Sequence, residues 1–253
     1  MVLLYAGGSV VAQDAKHLQQ QIDELRKGQE RILKQLDEVR ALLKEQRSVT
    51  ESKSAPPSFL SINVHGEPFR GDAKARAAIL EYSDFDCGFC AEFATNIFPK
   101  IDANYIKTGK VKFFFRDMPS PEHPFALFKA KAARCAGEQG KFWQMHDYLF
   151  AHQQPMGTSD APKLAEAVGI DANKLSACLA ADKYASIAQR SLASAEKYRL
   201  DGTPAFIMGT LSEDGSFLKA PQIVLGTQTY EFFQKKLEEL IPANSPQAPP
   251  PTP

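Results

Sequence analysis

Two cysteines have the spacing of a reactive dithiol pair. Cys87 and Cys90 stand three positions apart, separated by Gly88 and Phe89. An apolar run at 77–82 predicts a strand just before them, and the pattern after them predicts a helix over 88–106. The first sulfur would then lie at a helix N-terminus, where free backbone N–H groups stabilise a thiolate, with the second sulfur one turn away. This arrangement predicts that Cys87 attacks and Cys90 resolves.

The remaining cysteines, Cys135 and Cys178, stand singly in a stretch that reads as helical. An even count permits a second, structural disulfide between them in an exported protein, and two buried free thiols are the alternative. Half of a zinc site would need further ligands at suitable spacing, but the sequence has no second CxxC and no nearby histidine pair. We therefore expect no metal and no cofactor.

The elements around the dithiol pair predict an α/β domain. The expected order is strand, helix, strand, a long helical block, strand, strand and helix. Strands are expected at 77–82, 111–115, 205–208 and 223–225, Ala-rich helices from about 124 to 198, and a last helix at 229–241. The first three elements form a βαβ unit, which positions the cysteines at the end of its first strand.

Three segments resemble the DsbA-like branch of the thioredoxin superfamily. They are Glu81 to Cys90, the stretch from Pro121 to Asp147 with its Pro-Glu-His-Pro-Phe and Gly-Lys-Phe-Trp-Gln-Met-His-Asp runs, and Gly202 to Ile207. The resemblance covers roughly residues 60–241. It implies a thioredoxin fold at 59–241, with a helical insertion at about 122–198 that caps the redox site.

The resemblance also implies roles for residues away from the cysteines. Glu81 matches an acidic residue beneath the disulfide, where a carboxylate could relay the Cys90 proton; a solvent-exposed glutamate at a strand edge is the alternative. Pro204 matches a proline whose cis peptide bond faces the cysteines. The backbone of Thr203 would then be presented to an extended client segment.

Residues close to the pair give weaker indications. Phe89 could supply an apolar rim for clients. Asp84, Asp86 and Glu92 add negative charge, which opposes thiolate formation, although helix solubility explains them equally well. For His123, His146 and His152 we expect surface or capping roles, because none has metal-ligand spacing or a link to the cysteines.

The active-site dipeptide decides between related activities. Strong DsbA-type oxidants carry a histidine between the cysteines, whereas Gly88-Phe89 resembles the Gly-Tyr pair of DsbC-type isomerases. A less stabilised thiolate makes a weaker oxidant. The hypothesis is thiol–disulfide exchange with unfolded or misoxidised exported proteins and an unidentified redox partner protein, with isomerase or reductase activity favoured. Net oxidation is one alternative, and a periplasmic scaffold or chaperone is another.

The N-terminal region predicts export and self-association. Residues 1–12 are apolar and end in small residues, as in a signal peptide remnant, although no lysine or arginine precedes them and a membrane-anchoring or disordered end is the alternative. We expect a periplasmic or otherwise extracytoplasmic protein. Residues 13–47 carry a heptad pattern with Ile22 at an a position, which predicts a coiled-coil helix joining copies of this chain.

The flanking segments and the charge complete the predicted organisation. Residues 48–58 read as a linker, and 242–253 as a Pro-rich disordered tail. Lysine plus arginine and aspartate plus glutamate are 30 each in the 253-residue chain. Because this balance offers no long-range attraction for nucleic acid, we expect protein partners instead.

Overall fold

The computed structural model describes residues 21–39 and 61–241, and the chain divides into two compact units at Ser58 and Phe59. The described part of the first unit is one helix, α1, at 21–39. Its heptad residues Leu25, Ile32 and Leu36 are exposed. The outer parts of the predicted coiled coil, the signal segment, the linker and the Pro-rich tail lie outside the described residues.

The second unit is built on a six-stranded sheet with the order β1-β6-β5-β3-β4-β2. Strands β3 and β4 are parallel, and every other neighbouring pair is antiparallel. The strands are β1 Ser61–Asn63, β2 Phe69–Arg70, β3 Ala77–Ser83, β4 Val111–Asp117, β5 Ala205–Leu211 and β6 Phe217–Leu225.

Helices connect and cover these strands. Between β3 and β4 the chain forms α2 Gly88–Glu92, a π-helical turn Phe93–Ile97, α3 Phe98–Ile101 and a second π-helical turn Asp102–Ile106. Between β4 and β5 lie α4 Ala126–Gly137, α5 Phe142–Ala151, a 3₁₀ turn Thr158–Asp160, α6 Ala161–Val168, α7 Ala172–Ala180 and α8 Ala185–Lys197; α9 Tyr230–Leu240 follows β6.

Two layers of apolar side chains hold the central strands. All seven residues of β3 and of β4 are buried, as in strands covered on both faces. Phe93, Phe113, Phe206 and Phe233 pack together in one layer, and Leu80, Ile207 and Leu218 belong to the other. A third apolar cluster joins helices α4–α7 to Phe85, Cys87, Cys90 and Phe115. The strand ends at the dithiol pair are therefore held by the sheet and by the insertion together.

The predicted fold class is confirmed: a thioredoxin-type α/β sheet interrupted by helices between β4 and β5, with a helix ahead of it. The predicted element order is wrong in one respect, because it omits the short strands β1 and β2. The predicted lengths of β5 and β6 are also wrong. Strand β6 begins at Phe217 instead of 223, and its N-terminal part pairs with β1 at the edge of the sheet.

Candidate active site

Cys87 occupies the N-cap position of α2, directly after the loop that follows β3. Its backbone is extended, with φ −77° and ψ 119°, and its N–H donates to the Asp84 carbonyl at 3.1 Å. The chain turns from strand to helix at this residue, so the free N–H groups of the first turn point towards its side chain. The expected strand-to-helix position of the pair is the one observed.

The two sulfurs are free and differ in accessibility. Cys87 is 6% exposed and Cys90 is fully buried. The Cys87 Sγ lies 3.4 Å from the Thr203 carbonyl oxygen. The Cys90 thiol, as a hydrogen-bond donor, lowers the pKa of Cys87 to about 5, assisted by Thr203 and by the backbone N–H groups of Cys90 and Phe89, and opposed by burial. Burial and the hydrogen bond to Cys87 raise the pKa of Cys90. In the reduced pair, Cys87 is therefore the thiolate and Cys90 is the protonated thiol.

Glu81 lies on β3 beneath the pair and is 1% exposed, so the alternative of a solvent-exposed glutamate at a strand edge is wrong. Burial raises the pKa of Glu81 from an ordinary 4.5 to about 8, the charge of Cys87 adds to the rise, and the nearby Ser83 side chain opposes it. The charge of Glu81 in turn raises the pKa of Cys90. A buried carboxyl that exchanges its proton near neutral pH thus lies within electrostatic reach of the deeper thiol.

The remaining predicted site residues are Thr203 and Pro204, which the resemblance placed opposite the cysteines, and Phe89, which stands between the cysteines in the sequence. The Thr203–Pro204 peptide bond is cis, and Thr203 faces Cys87 through its carbonyl. Phe89 is 66% exposed, and its carbonyl accepts a hydrogen bond from the Thr227 hydroxyl at 2.9 Å. The structure thus brings a backbone carbonyl to the more accessible sulfur and leaves an apolar ring open to solvent two residues further along the chain.

The carboxylates before Cys87 are not solubilising surface groups, so that interpretation of Asp84 is wrong. Its side chain is fully buried. One oxygen accepts the Asp86 N–H at 2.7 Å, and the other accepts the Ser120 N–H and contacts His123 Nδ1, each at 2.7 Å. Asp84 therefore ties the active-site loop to the segment that leads into α4.

Asp86 makes a second tie to the same segment. It accepts the Phe125 N–H at 3.0 Å and pairs with the ammonium group of Lys129, which is fully buried. A buried ammonium group needs such a partner, because an unpaired charge in the protein interior is costly. The loop that carries Cys87 is thus fixed to α4 by two carboxylates.

The expected surface roles of the histidines are wrong for His146, which is 1% exposed. Its ring packs between Phe115 and Phe150 at centroid distances of 5.0 and 4.9 Å, and its Nδ1 contacts Asp147 at 2.8 Å. Burial lowers the pKa of His146. His123 also departs from the expectation, because through Asp84 it is linked to the loop that carries Cys87.

Cys135 and Cys178 form a disulfide bond between α4 and α7, with Cα atoms 5.8 Å apart. Cys135 is buried among apolar side chains of the helical insertion. Across residues 21–39 and 61–241, no group of three or more histidine, cysteine, aspartate or glutamate side chains is arranged to hold a metal ion.

Sequence reasoning missed His123 and Lys129. Lys129 lies in an alanine-rich stretch, where the pattern predicts that a lysine faces solvent on a helix. Only the fold brings it against Asp86. His123 stands 36 positions from Cys87, a separation that local spacing does not connect. A usable signal was the pair of aspartates beside a thiol expected to ionise, since such charges need compensation.

A free cysteine pair at the N-terminus of the helix after β3, facing a cis-proline loop, defines a thioredoxin-fold protein with a dithiol centre. A family model described as thioredoxin matches residues 63–216, more than half of the chain. The chain therefore belongs to the thioredoxin family.

Three solved structures illustrate the similarity of the fold. Wolbachia pipientis alpha-DsbA1 is 21% identical with a TM-score of 0.61, covering 71% of this chain and 92% of its own. Oxidised BdbD from Bacillus subtilis is 21% identical with a TM-score of 0.60, covering 72% and 98%. A thioredoxin-like oxidoreductase from Silicibacter pomeroyi is 23% identical with a TM-score of 0.56, covering 68% and 91%. The resemblance to the DsbA-like branch is thus confirmed in the fold.

The curated proteins that match this chain in sequence are Na(+)/H(+) antiporters, unlike the solved structures that share its fold. Na(+)/H(+) antiporter NhaA 3 from Salinispora tropica is 30% identical over 149 residues, which make up 58% of this chain and 22% of the antiporter. NhaA from Herminiimonas arsenicoxydans is 28% identical over 148 residues, or 23% of its length. The match thus spans less than a quarter of these relatives. No helix within the described ranges is long and apolar enough to cross a membrane.

Proposed function

We propose that this protein exchanges disulfides with client proteins, with Cys87 as the attacking thiol and Cys90 as the resolving thiol. The observation that carries the proposal is the asymmetry of the pair. Cys87 lies at a helix N-terminus with its pKa lowered to about 5, whereas Cys90 is fully buried with its pKa raised. One sulfur is thus a nucleophile at neutral pH, and the other holds its proton until it is needed.

The exchange proceeds in two balanced steps. The Cys87 thiolate attacks one sulfur of a client disulfide, forming a mixed disulfide and releasing the other client sulfur as a thiolate. Cys90 then loses its proton and attacks the Cys87 sulfur, which forms the Cys87–Cys90 disulfide and releases the second client thiolate. Two electrons pass from the enzyme to the client, and the reverse sequence oxidises the client.

Glu81 is suited to move the Cys90 proton. The efficiency of a general acid or base is greatest when its pKa lies near the working pH, and burial brings the pKa of Glu81 to about 8. Its carboxylate form accepts the proton when Cys90 attacks, and its carboxyl form returns the proton when Cys90 leaves. Because Glu81 is buried beneath the pair, bulk water does not compete directly for this proton.

Client segments are proposed to bind between Phe89 and Thr203. The Thr203 carbonyl, 3.4 Å from the Cys87 sulfur, offers a backbone acceptor to an extended segment, and the 66% exposed Phe89 ring offers an apolar contact. Pro204 sets the position of that carbonyl. Unfolded or misoxidised chains present extended backbone and apolar side chains together, so they match this surface.

A scrambled-disulfide refolding assay tests the proposal. Wild type is expected to restore native pairing in a client protein, and Cys87→Ser to refold it no faster than buffer with a thiol. Cys135→Ala/Cys178→Ala, assayed below its unfolding temperature, is the matched control and is expected to keep its activity. Equal activity of wild type and Cys87→Ser would remove the catalytic role.

Among exchange activities, we favour isomerase or reductase activity over net oxidation. The support is the Gly88-Phe89 dipeptide, which places no titratable side chain between the cysteines. Equilibration of the Cys87–Cys90 pair with glutathione tests this preference. A potential in the range of isomerases or of more reducing proteins supports it, and a potential at the strong-oxidant end would replace it with net oxidation.

Self-association through α1 is proposed on the exposure of its heptad residues. Leu25 is 74% exposed, and Ile32, Leu36 and Val39 are more than half exposed, which is an unfavourable state for an isolated helix. Leu25→Lys/Leu36→Lys is expected to convert an oligomer into a monomer in light scattering, with Glu30→Lys on the outer face of α1 as control. A monomeric wild type would contradict the proposal. The alternative function, a scaffold or chaperone without thiol chemistry, predicts that Cys87→Ala binds clients as well as wild type.

Export to an oxidising compartment is proposed together with this activity. The Cys135–Cys178 disulfide supports it, because such bonds persist mainly outside the cytoplasm. Fractionation of cells that express the full chain tests it, with thiol labelling of Cys135 and Cys178 as the readout. Recovery in the cytoplasm with both thiols labelled would contradict it.

A further inference from the structure

The segment before the attacking cysteine has an unusual charge arrangement. Asp84 and Asp86 both precede Cys87 within three residues, and negative charge so close opposes a thiolate. Each carboxylate has one cationic partner: His123, in the segment that leads into α4, for Asp84, and Lys129, in the first turn of α4, for Asp86. His123 and Lys129 thus offset the negative charges of Asp84 and Asp86 beside Cys87.

The two cationic partners differ in chemical type and in exposure. Lysine side chains ordinarily stay protonated across the neutral range, whereas imidazole titrates close to it. His123 is moreover 34% exposed in its side chain, so it can exchange protons with solvent, while Lys129 is fully buried. Of these two partners, His123 combines an imidazole group with access to solvent.

The pKa of His123 depends on the charges of the active-site loop. Its hydrogen bond with Asp84, 2.7 Å long, raises the pKa of His123, and the charges of Asp84, Cys87 and Asp86 raise it further, against burial. Interactions between two titrating groups are reciprocal. If the Cys87 thiolate favours a protonated His123, then a protonated His123 favours the Cys87 thiolate by the same free energy.

We propose that His123 is a pH-dependent positioning residue, which holds Asp84 in place, neutralises its charge and thereby stabilises the Cys87 thiolate. This proposal rests on the proposed exchange function and adds a pH dependence to the redox equilibrium of the Cys87–Cys90 pair. When His123 loses its proton, Asp84 is left without its cation beside the thiolate. The reduced form then loses stability relative to the disulfide, so the pair becomes more reducing as pH rises through the titration of His123.

The first test is the absorbance of the thiolate at 240 nm in the reduced, full-length protein. His123→Gln retains a hydrogen-bonding group but carries no charge, and it is expected to raise the midpoint of the Cys87 titration by about 0.5 pH unit. That shift is about a threefold change in the ionisation constant. His152→Gln, which removes a histidine that stacks on Tyr148, is the matched control and is expected to leave the midpoint unchanged. An unchanged midpoint in His123→Gln would overturn the proposal.

A double-variant cycle tests whether the effect runs through Asp84. In an Asp84→Asn background there is no carboxylate for His123 to neutralise, so His123→Gln is expected to shift the Cys87 midpoint by less than half as much. An equal shift in both backgrounds would contradict the assignment of His123 as a positioning residue acting through Asp84.

A measurement on the unaltered protein covers the case in which a variant fails to fold. The imidazole of His123 is titrated by NMR in the reduced and in the disulfide form. The titration midpoint of His123 is expected to be higher in the reduced form, because only that form carries the Cys87 thiolate. Equal midpoints would overturn the proposal. This readout is separate from client exchange, so loss of the proposed function and loss of this coupling are distinguishable.

Discussion

The four cysteines form two pairs that occupy contrasting surroundings. Cys87 and Cys90 are free at a strand-to-helix junction, next to a buried carboxyl and a loop carrying two carboxylates. Cys135 and Cys178 are bonded to each other and join two helices of the insertion, where Cys135 is packed among apolar side chains. Placement relative to helix N-termini and titratable groups, and not the thiol itself, therefore distinguishes a pair suited to chemistry from a structural pair.

The largest contrast is expected in catalysis. Cys87→Ser should reduce thiol–disulfide exchange to the background rate, because a serine hydroxyl does not ionise near neutral pH to attack a disulfide. Cys135→Ala/Cys178→Ala should retain the rate per folded molecule. Turnover of a fluorescent disulfide substrate measures both. If the two variants lost activity equally, the proposed division of roles would fail.

The contrast should reverse when stability is measured. Cys135 and Cys178 are separated by 43 positions, so their bond restricts a long loop of the unfolded chain. Cys135→Ala/Cys178→Ala is expected to lower the free energy of unfolding by about 2–4 kcal/mol in denaturant titrations. Reduced Cys87→Ser serves as the comparison and should change it by less. A negligible loss in the double variant would show that the insertion does not depend on its disulfide.

Glu81 should make the stability of the dithiol region depend on pH. Its pKa is about 8 in the folded protein against an ordinary 4.5, so between these values the folded state holds a proton that the unfolded state releases. The free energy of unfolding therefore falls as pH rises from about 4.5 through 8.

Glu81→Gln removes this titration without removing the side chain. Relative to wild type, it is expected to gain roughly 2 kcal/mol of unfolding free energy between pH 5 and pH 9, from about 1.4 kcal/mol per pKa unit discounted for relaxation. Denaturant titrations at the two pH values measure the gain. The ionisation of Cys87 largely cancels, because both proteins carry it. Parallel pH profiles would contradict a buried, protonated Glu81.

Phe89 should give the smallest effect on stability and a clear effect on clients. Because its ring is 66% exposed, Phe89→Ser is expected to change the free energy of unfolding by less than about 0.5 kcal/mol. The KM for an unfolded client should rise while the rate with a small disulfide stays constant. Unchanged KM values for both substrates would remove Phe89 from the client surface.

The sequence was sufficient where local pattern and chemistry agree. The apolar run of β3, the helix after it and the Cys87–Cys90 spacing all indicate one junction, and the structure has it. The short strands β1 and β2 were missed because two or three residues carry no usable periodicity and form only by pairing with β6 and β4.

Long-range contacts explain what remained hidden at the site. His123 and Lys129 come to the active-site loop from a segment some 40 residues later, and only the packing of α4 against that loop reveals their partners. His146 reads as a polar helix residue but is enclosed by aromatic rings from four different segments, among them Phe85, Phe98 and Phe115. Burial of this kind is a property of the assembled fold.

Trapping the mixed disulfide tests the central claim most directly. A disulfide-bonded client is added to Cys90→Ser, to Cys87→Ser and to wild type, and covalent complexes are separated on non-reducing gels and mapped by mass spectrometry. Cys90→Ser is expected to accumulate a complex through Cys87, because the resolving attack is missing, and Cys87→Ser is expected to form none. A stable complex through Cys90 in Cys87→Ser, with none in Cys90→Ser, would contradict the assignment of the two roles.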